Sequence, residues 1–74
     1  MFNWFRKKPS KFETIKARAE EGDPEAQRQL GIMLAEGMDV PRDTMEAARW
    51  FRKAAEQGDR AAQYNFAIMH STGS

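Results

Sequence analysis

With 74 residues the chain is long enough for one small domain, and the lack of any cysteine excludes a disulfide framework, a thiolate zinc site and a cysteine nucleophile together. The formal net charge of +1 is unevenly divided: residues 1–18 carry six basic side chains and one acidic, a net of +5, whereas residues 19–74 carry six basic and ten acidic, a net of −4. The acidic body excludes the broad basic face that nucleic-acid binding needs, and no apolar run approaches the roughly 18 residues of a membrane span.

The first nine residues form a head. It reads Met1-Phe2-Asn3-Trp4-Phe5-Arg6-Lys7-Lys8, with its charges after its apolar residues and no apolar stretch of about 7–15, so it is not a signal peptide by pattern. Three readings of it stand open. Phe2, Trp4 and Phe5 fold back as an apolar cap on the first helix. Alternatively, the aromatics sit at the headgroup level of a membrane with Arg6, Lys7, Lys8 and Lys11 on anionic lipid. In the third, the segment is a free partner-binding tail.

Residues 10–74 read as helical throughout. Ser10 with Glu13 makes a capping box, opening a helix that runs to about Glu21 and stops at Gly22 in a left-handed conformation. Asp23 caps the next helix, with Pro24 in the first helical position, where its missing N–H costs nothing. That helix runs to about Glu36 and stops at Gly37. Residues 38–42 read as a loop. Asp43 caps a third helix, with Glu46 three residues on, that runs to Gln57 and stops at Gly58. Asp59 caps a fourth that ends near His70, and residues 71–74 read as frayed. Period-2 alternation is missing and β-branched residues are scarce, so no strand is expected.

An internal repeat underlies this pattern. Shifted by 36 residues, segment 16–37 falls on 52–73 with nine of 22 positions identical: 19, 20, 22, 23, 26, 27, 32, 33 and 37. Apolar residues recur at helical spacing within it. Ala26, Leu30 and Gly31 are the expected core of the second helix. Ala47, Trp50 and Ala54 are that of the third, whose apolar stripe also takes in Phe51, and Ala62 and Phe66 that of the fourth. The small residues admit close helix approach, and the aromatics fill the larger gaps.

Ala26-Gln27, Leu30-Gly31, the Gly37-to-Asp43 loop, Ala47, Trp50-Phe51, Ala54-Ala55 and Gly58-Asp59 stand in an order that closely resembles the Sel-one-like repeat family, a branch of the tetratricopeptide superfamily with a unit of about 36 residues. The resemblance covers roughly residues 10–73. It implies an all-α fold, a short right-handed solenoid of about four helices in antiparallel pairs, and adaptor or scaffold roles in assembling other proteins. Helices of the first type in each unit line the concave side in that family, which places residues 24–36 and 60–70 on a ligand groove. Arg28, Gln29 and Ile32 with Tyr64, Asn65 and Ile68 are therefore the candidate partner contacts, offering amides, a cation and a flat aromatic for peptide recognition. The alternative is an ordinary solvent-facing helix surface.

The sequence departs from the family pattern in three places. Asp39 stands where the loop usually carries a second Gly, and Asp tolerates a left-handed backbone better than most residues. Leu34 and His70 stand where a Tyr is common. Only one unit is complete, flanked by what read as the closing helix of one unit and the opening helix of another. Solenoid units normally need about three copies to bury their faces. Tyr64, Phe66, Ile68 or Met69 should then show apolar surface, either because the chain is part of a longer array or because self-association or a partner covers it.

No catalytic constellation is expected. His70 has no metal-ligand company, and Glu20, Glu21, Asp23 and Glu25 read as capping and solvating charges. Neither a nucleophile elbow nor a phosphate-cradling loop appears. The expectation is a cofactor-free, non-enzymatic protein-binding module in the cytoplasm. The alternative is a membrane-surface targeting unit whose head carries the function.

Overall fold

The computed structural model describes residues 9–72. Four helices account for most of them: α1 (Lys11–Glu20), α2 (Pro24–Glu36), α3 (Thr44–Glu56) and α4 (Arg60–Thr72). Each packs against the next in chain order, and the short connections make neighbours antiparallel, the geometry of a tetratricopeptide-like solenoid. The capping residues stand where the sequence placed them. Ser10 accepts from the backbone N–H of Glu13 while the Glu13 side chain accepts from the Ser10 N–H, and Asp23 and Asp43 accept from the first turns of α2 and α3. α1 and α3 end one residue earlier than expected, and α4 runs two residues beyond His70, where the Ser71 hydroxyl donates to the Ile68 carbonyl.

The 36-residue repeat is repeated bond for bond at two turns. In the first, Gly22 sits at φ +103°, its N–H donates to the Ala19 carbonyl and the Asp23 N–H donates to the Arg18 carbonyl. In the second, Gly58 sits at φ +95°, its N–H donates to Ala55 and the Asp59 N–H to Ala54. This is the Schellman closure, which satisfies the last helical carbonyls and requires the positive φ. The residue that completes the closure is also the cap of the following helix: Asp23 Oδ1 accepts from the Glu25 and Ala26 N–H groups, and Asp59 Oδ1 from that of Ala62. One Gly-Asp pair thus ends one helix and starts the next within three residues.

The conserved spacing of Ala26-Gln27 and Ala62-Gln63 has an equally local cause. Gln27 Nε2 donates to the Ala19 carbonyl at 3.1 Å, and Gln63 Nε2 to the Ala55 carbonyl at 3.1 Å, each tying a helix to its predecessor. The two turns are also joined to one another. Gln57 Nε2 donates to the Gly22 carbonyl and to Gln27 Oε1, both at 2.9 Å. Gln27 is buried and fully partnered, and no buried side-chain nitrogen or oxygen among the described residues lacks a hydrogen bond.

The longer α2–α3 connection is held differently. Gly37 closes α2 in the left-handed region at φ +73°, Asp39 follows at φ +64°, and the Asp43 N–H returns to the Leu34 carbonyl. The left-handed turn therefore forms with Asp at this position.

Ile15 and Ala19 of α1, Leu30, Met33 and Leu34 of α2, and Phe51 of α3 are the larger buried groups. Ala26, Ala47, Ala54 and Ala62 fill the closest approaches, each with no exposed surface. Gly31 is buried because the Phe51 ring lies on it: a Cβ there would meet the ring edge at 2.7 Å. Trp50, expected in the core, is half-buried at its rim. Its indole N–H donates to Glu46 Oε2 at 3.3 Å, and Lys53 Nζ lies 5.8 Å from its ring. Phe66 is also half-buried, with its ring stacked at 6.1 Å on that of His70.

Candidate partner-binding surface

Two apolar clefts flank Ile32 on α2, and four of the six candidate residues line one or the other. The first, about 150 Å³, lies between α2 and α4 over Phe51. Ile32 and Ala35 form one wall, Ile68 and Met69 the other, and Asn65 and Glu36 supply polar edges. Three of the six expected contacts, Ile32, Asn65 and Ile68, thus come together. The second cleft, about 260 Å³, lies between α1, α2 and the start of the α2–α3 connection. Ile15, Ile32, Met33 and Met38 line it with Gln29, and Lys11 and Asp39 stand at its edge. Ile32 is the wall that the two clefts share.

Helical register explains the grouping. Ile32 and Ile68 are 36-residue counterparts, so the repeat sets them at equivalent places on α2 and α4. Asn65, three residues before Ile68, falls on the same face. Ile68 remains 42% exposed and Tyr64 68% exposed, which leaves apolar surface on α4 open. Tyr64 lines neither cleft.

Arg28 is engaged elsewhere. Its Nε donates to Asp59 Oδ2 at 3.2 Å in a partly shielded ion pair, locking α2 to the α3–α4 turn. Its guanidinium therefore acts inside the fold. Arg18 holds the equivalent oxygen of Asp23 at 2.6 Å. That hydrogen bond holds the Asp23 carboxyl below its ordinary value, with partial burial opposing and backbone donors adding to the effect, and pushes the Arg18 guanidinium up.

Lys11, Ile15, Met33, Met38 and Asp39 were not singled out from the sequence as site residues. They come from three separate segments, and only the antiparallel packing of α1 on α2 brings them together. The residues Phe2, Trp4, Phe5, Arg6, Lys7 and Lys8 lie outside the described residues, so the cap and membrane readings of the head belong to the sequence alone. Among the described residues no group of three or more metal-ligating side chains converges, and no helix is long and apolar enough to cross a membrane.

Residues 24–59, which comprise α2, α3 and the joining loop, match the family model described as the Sel1 repeat. α1 and α4 extend the same 36-residue register on either side. No curated protein and no solved structure gives a match.

Proposed function

Because residues 24–59 match the Sel1 repeat, whose copies generally mediate protein–protein interaction, we propose that the chain is an adaptor that takes an extended or helical segment of another protein across the α2–α4 face. The observation that carries this reading is the cleft over Phe51, where Ile32, Asn65 and Ile68 meet. A cleft of about 150 Å³ is below the usual range for small-molecule sites and suits one apolar side chain of a bound segment. The exposed Tyr64 and Ile68 extend the contact along α4, as a flat aromatic and an apolar anchor do in protein interfaces.

The test is co-purification with a tagged chain and mass spectrometry, comparing the wild type with Ile68→Arg and with Arg49→Ala on the exposed surface of α3. A protein retained by the wild type and by Arg49→Ala, but lost with Ile68→Arg while the helical spectrum is unchanged, supports the proposed face. Equal recovery by the wild type and both variants removes it.

A further inference from the structure

We infer that the chain's own head, Phe2 to Lys8, docks in cis on the methionine-lined cleft between α1 and α2. This inference concerns the neighbouring cleft, which shares Ile32 with the α2–α4 face. It rests on the chemistry of the cleft, its position and its charge.

The cleft is built for an aromatic side chain. Met33 and Met38 present thioethers, Ile15 and Ile32 present branched methyl groups, and Met38 is 43% exposed at its mouth. Flexible methionines adapt to an inserted ring, and sulfur makes favourable contacts with aromatic edges. The head supplies three such rings, on Phe2, Trp4 and Phe5.

Position brings the two together. Lys11 lines the cleft and begins α1. Ser10, directly before it, is extended (φ −67°, ψ 166°) and pinned by its capping box. Phe5 lies six residues before Lys11, a stretch that spans at most about 20 Å, so its reach covers the cleft without unwinding α1. The local concentration of a segment tethered this closely far exceeds that of the same segment on a separate molecule.

Charge completes the match. Glu36 borders the α2–α4 cleft and Asp39 borders the methionine-lined one; neither is ion-paired among the described residues. Both sit at the carbonyl end of α2, where the helix dipole is negative. α1, α3 and α4 each place a basic residue in the last turn, namely Arg18, Lys53 and His70, and α2 places none. Arg42, the nearest cation further along the chain, is exposed and makes no ion pair among the described residues. Lys11 stands at the edge of the cleft with Asp39, and Arg6, Lys7 and Lys8 follow the aromatics in the head, so a ring in the cleft adds cations on the side of this acidic end.

The experiment uses the full chain with carbon-13 methyl labels on methionine and isoleucine. Nuclear Overhauser contacts are sought between the rings of Phe2, Trp4 or Phe5 and the methyl groups of Met33, Met38, Ile15 and Ile32. The expected result is direct ring–methyl contacts with upfield-shifted Met33 and Met38 signals. Both should persist on about tenfold dilution and disappear in a Trp4→Ala/Phe5→Ala variant that keeps its other methyl positions. Met38→Lys, at an exposed position, should release the head without loss of helix. Absence of contacts in the wild type overturns the inference. So do contacts that vanish on dilution, which would assign the cleft to the head of a second copy. Ring contacts seen only with phosphatidylserine-containing vesicles, and only to lipid, would assign the head to the membrane surface and likewise overturn it.

Discussion

The carboxylates of Asp23 and Asp59 each do two things at once, one oxygen capping a helix and the other holding an arginine. For Asp23 this has a pH consequence with a definite sign. Its carboxyl titrates below its ordinary value, chiefly because of the Arg18 hydrogen bond. The folded chain therefore resists protonating it more than the unfolded chain does. The stabilisation is present above the unfolded carboxylate's value of about 3.9 and is lost as pH falls through the lower folded value. Asn also caps helices well, so Asp23→Asn removes the titration while keeping the cap. Its melting temperature should fall less steeply than the wild type's below about pH 4, as followed by circular dichroism; parallel slopes would show that the Arg18 contact does not couple to folding. A second residue-scale prediction concerns Gly31. Replacing a mid-helix glycine by alanine ordinarily gains about 1 kcal/mol, but here the added carbon meets the buried Phe51 ring at 2.7 Å, and overpacking costs about 1–3 kcal/mol. Gly31→Ala should be net destabilising in urea titration, and Phe51→Leu in the same chain should recover part of the loss. Its counterpart Ala67 is exposed, with no such constraint on its side chain.

At the level of elements, the helices were legible because their ends are written in single residues. Ser10, Asp23, Asp43 and Asp59 mark the starts, and Gly22, Gly37 and Gly58 the stops. What the sequence did not reveal is which of two adjacent aromatics faces inward. Trp50 and Phe51 are about 100° apart on α3, and both fall within the apolar stripe read from spacing. The structure centres the buried line on Ala47, Phe51 and Ala54, leaving Trp50 at the rim, where its N–H reaches Glu46. A fully buried indole would need a buried acceptor, and the glycine that admits a ring is opposite Phe51. Phe51→Ala should therefore cost about 3–5 kcal/mol, enough to unfold a domain this small. Trp50→Ala should cost about half as much and leave a cooperative, lowered thermal transition. Equal losses in the two variants would mean that Trp50 carries as much of the core as Phe51. For the candidate site, Ile32, Asn65 and Ile68 were named from the family resemblance, and the structure brings these three to one cleft. The engagement of Arg28 depends on Asp59, 31 residues away, and the methionine cleft joins three distant segments, neither of which local spacing encodes.

Across the whole molecule the internal repeat supplies its own comparison. α2 lies between α1 and α3 and packs closely on both, whereas the close packing of α4 is on α3. Position by position the difference shows in burial. Gln27, Leu30, Gly31, Met33 and Leu34 are buried in α2; 36 residues on, Phe66 and Met69 are half-buried, and Gln63, Ala67 and His70 are exposed. Gln27 with Gln63 and Met33 with Met69 are identical pairs in the same register, so they differ mainly in the packing each helix receives. Solenoid stability is close to a sum of unit and interface contributions, so the helix with two interfaces should open least often. Native-state hydrogen exchange should accordingly give slower exchange at Leu30, Gly31 and Leu34 than at Phe66, Ala67 and His70, with α2 opening at or near the global unfolding free energy and α4 well below it. A bound partner on α4 should narrow that gap by covering Ile68 and Tyr64, leaving α2, already near the global limit, with less to gain. Equal protection of the two helices in the free chain would instead mean that the outer face of α4 is covered in solution, and a concentration-dependent melting temperature would identify the cover as another copy.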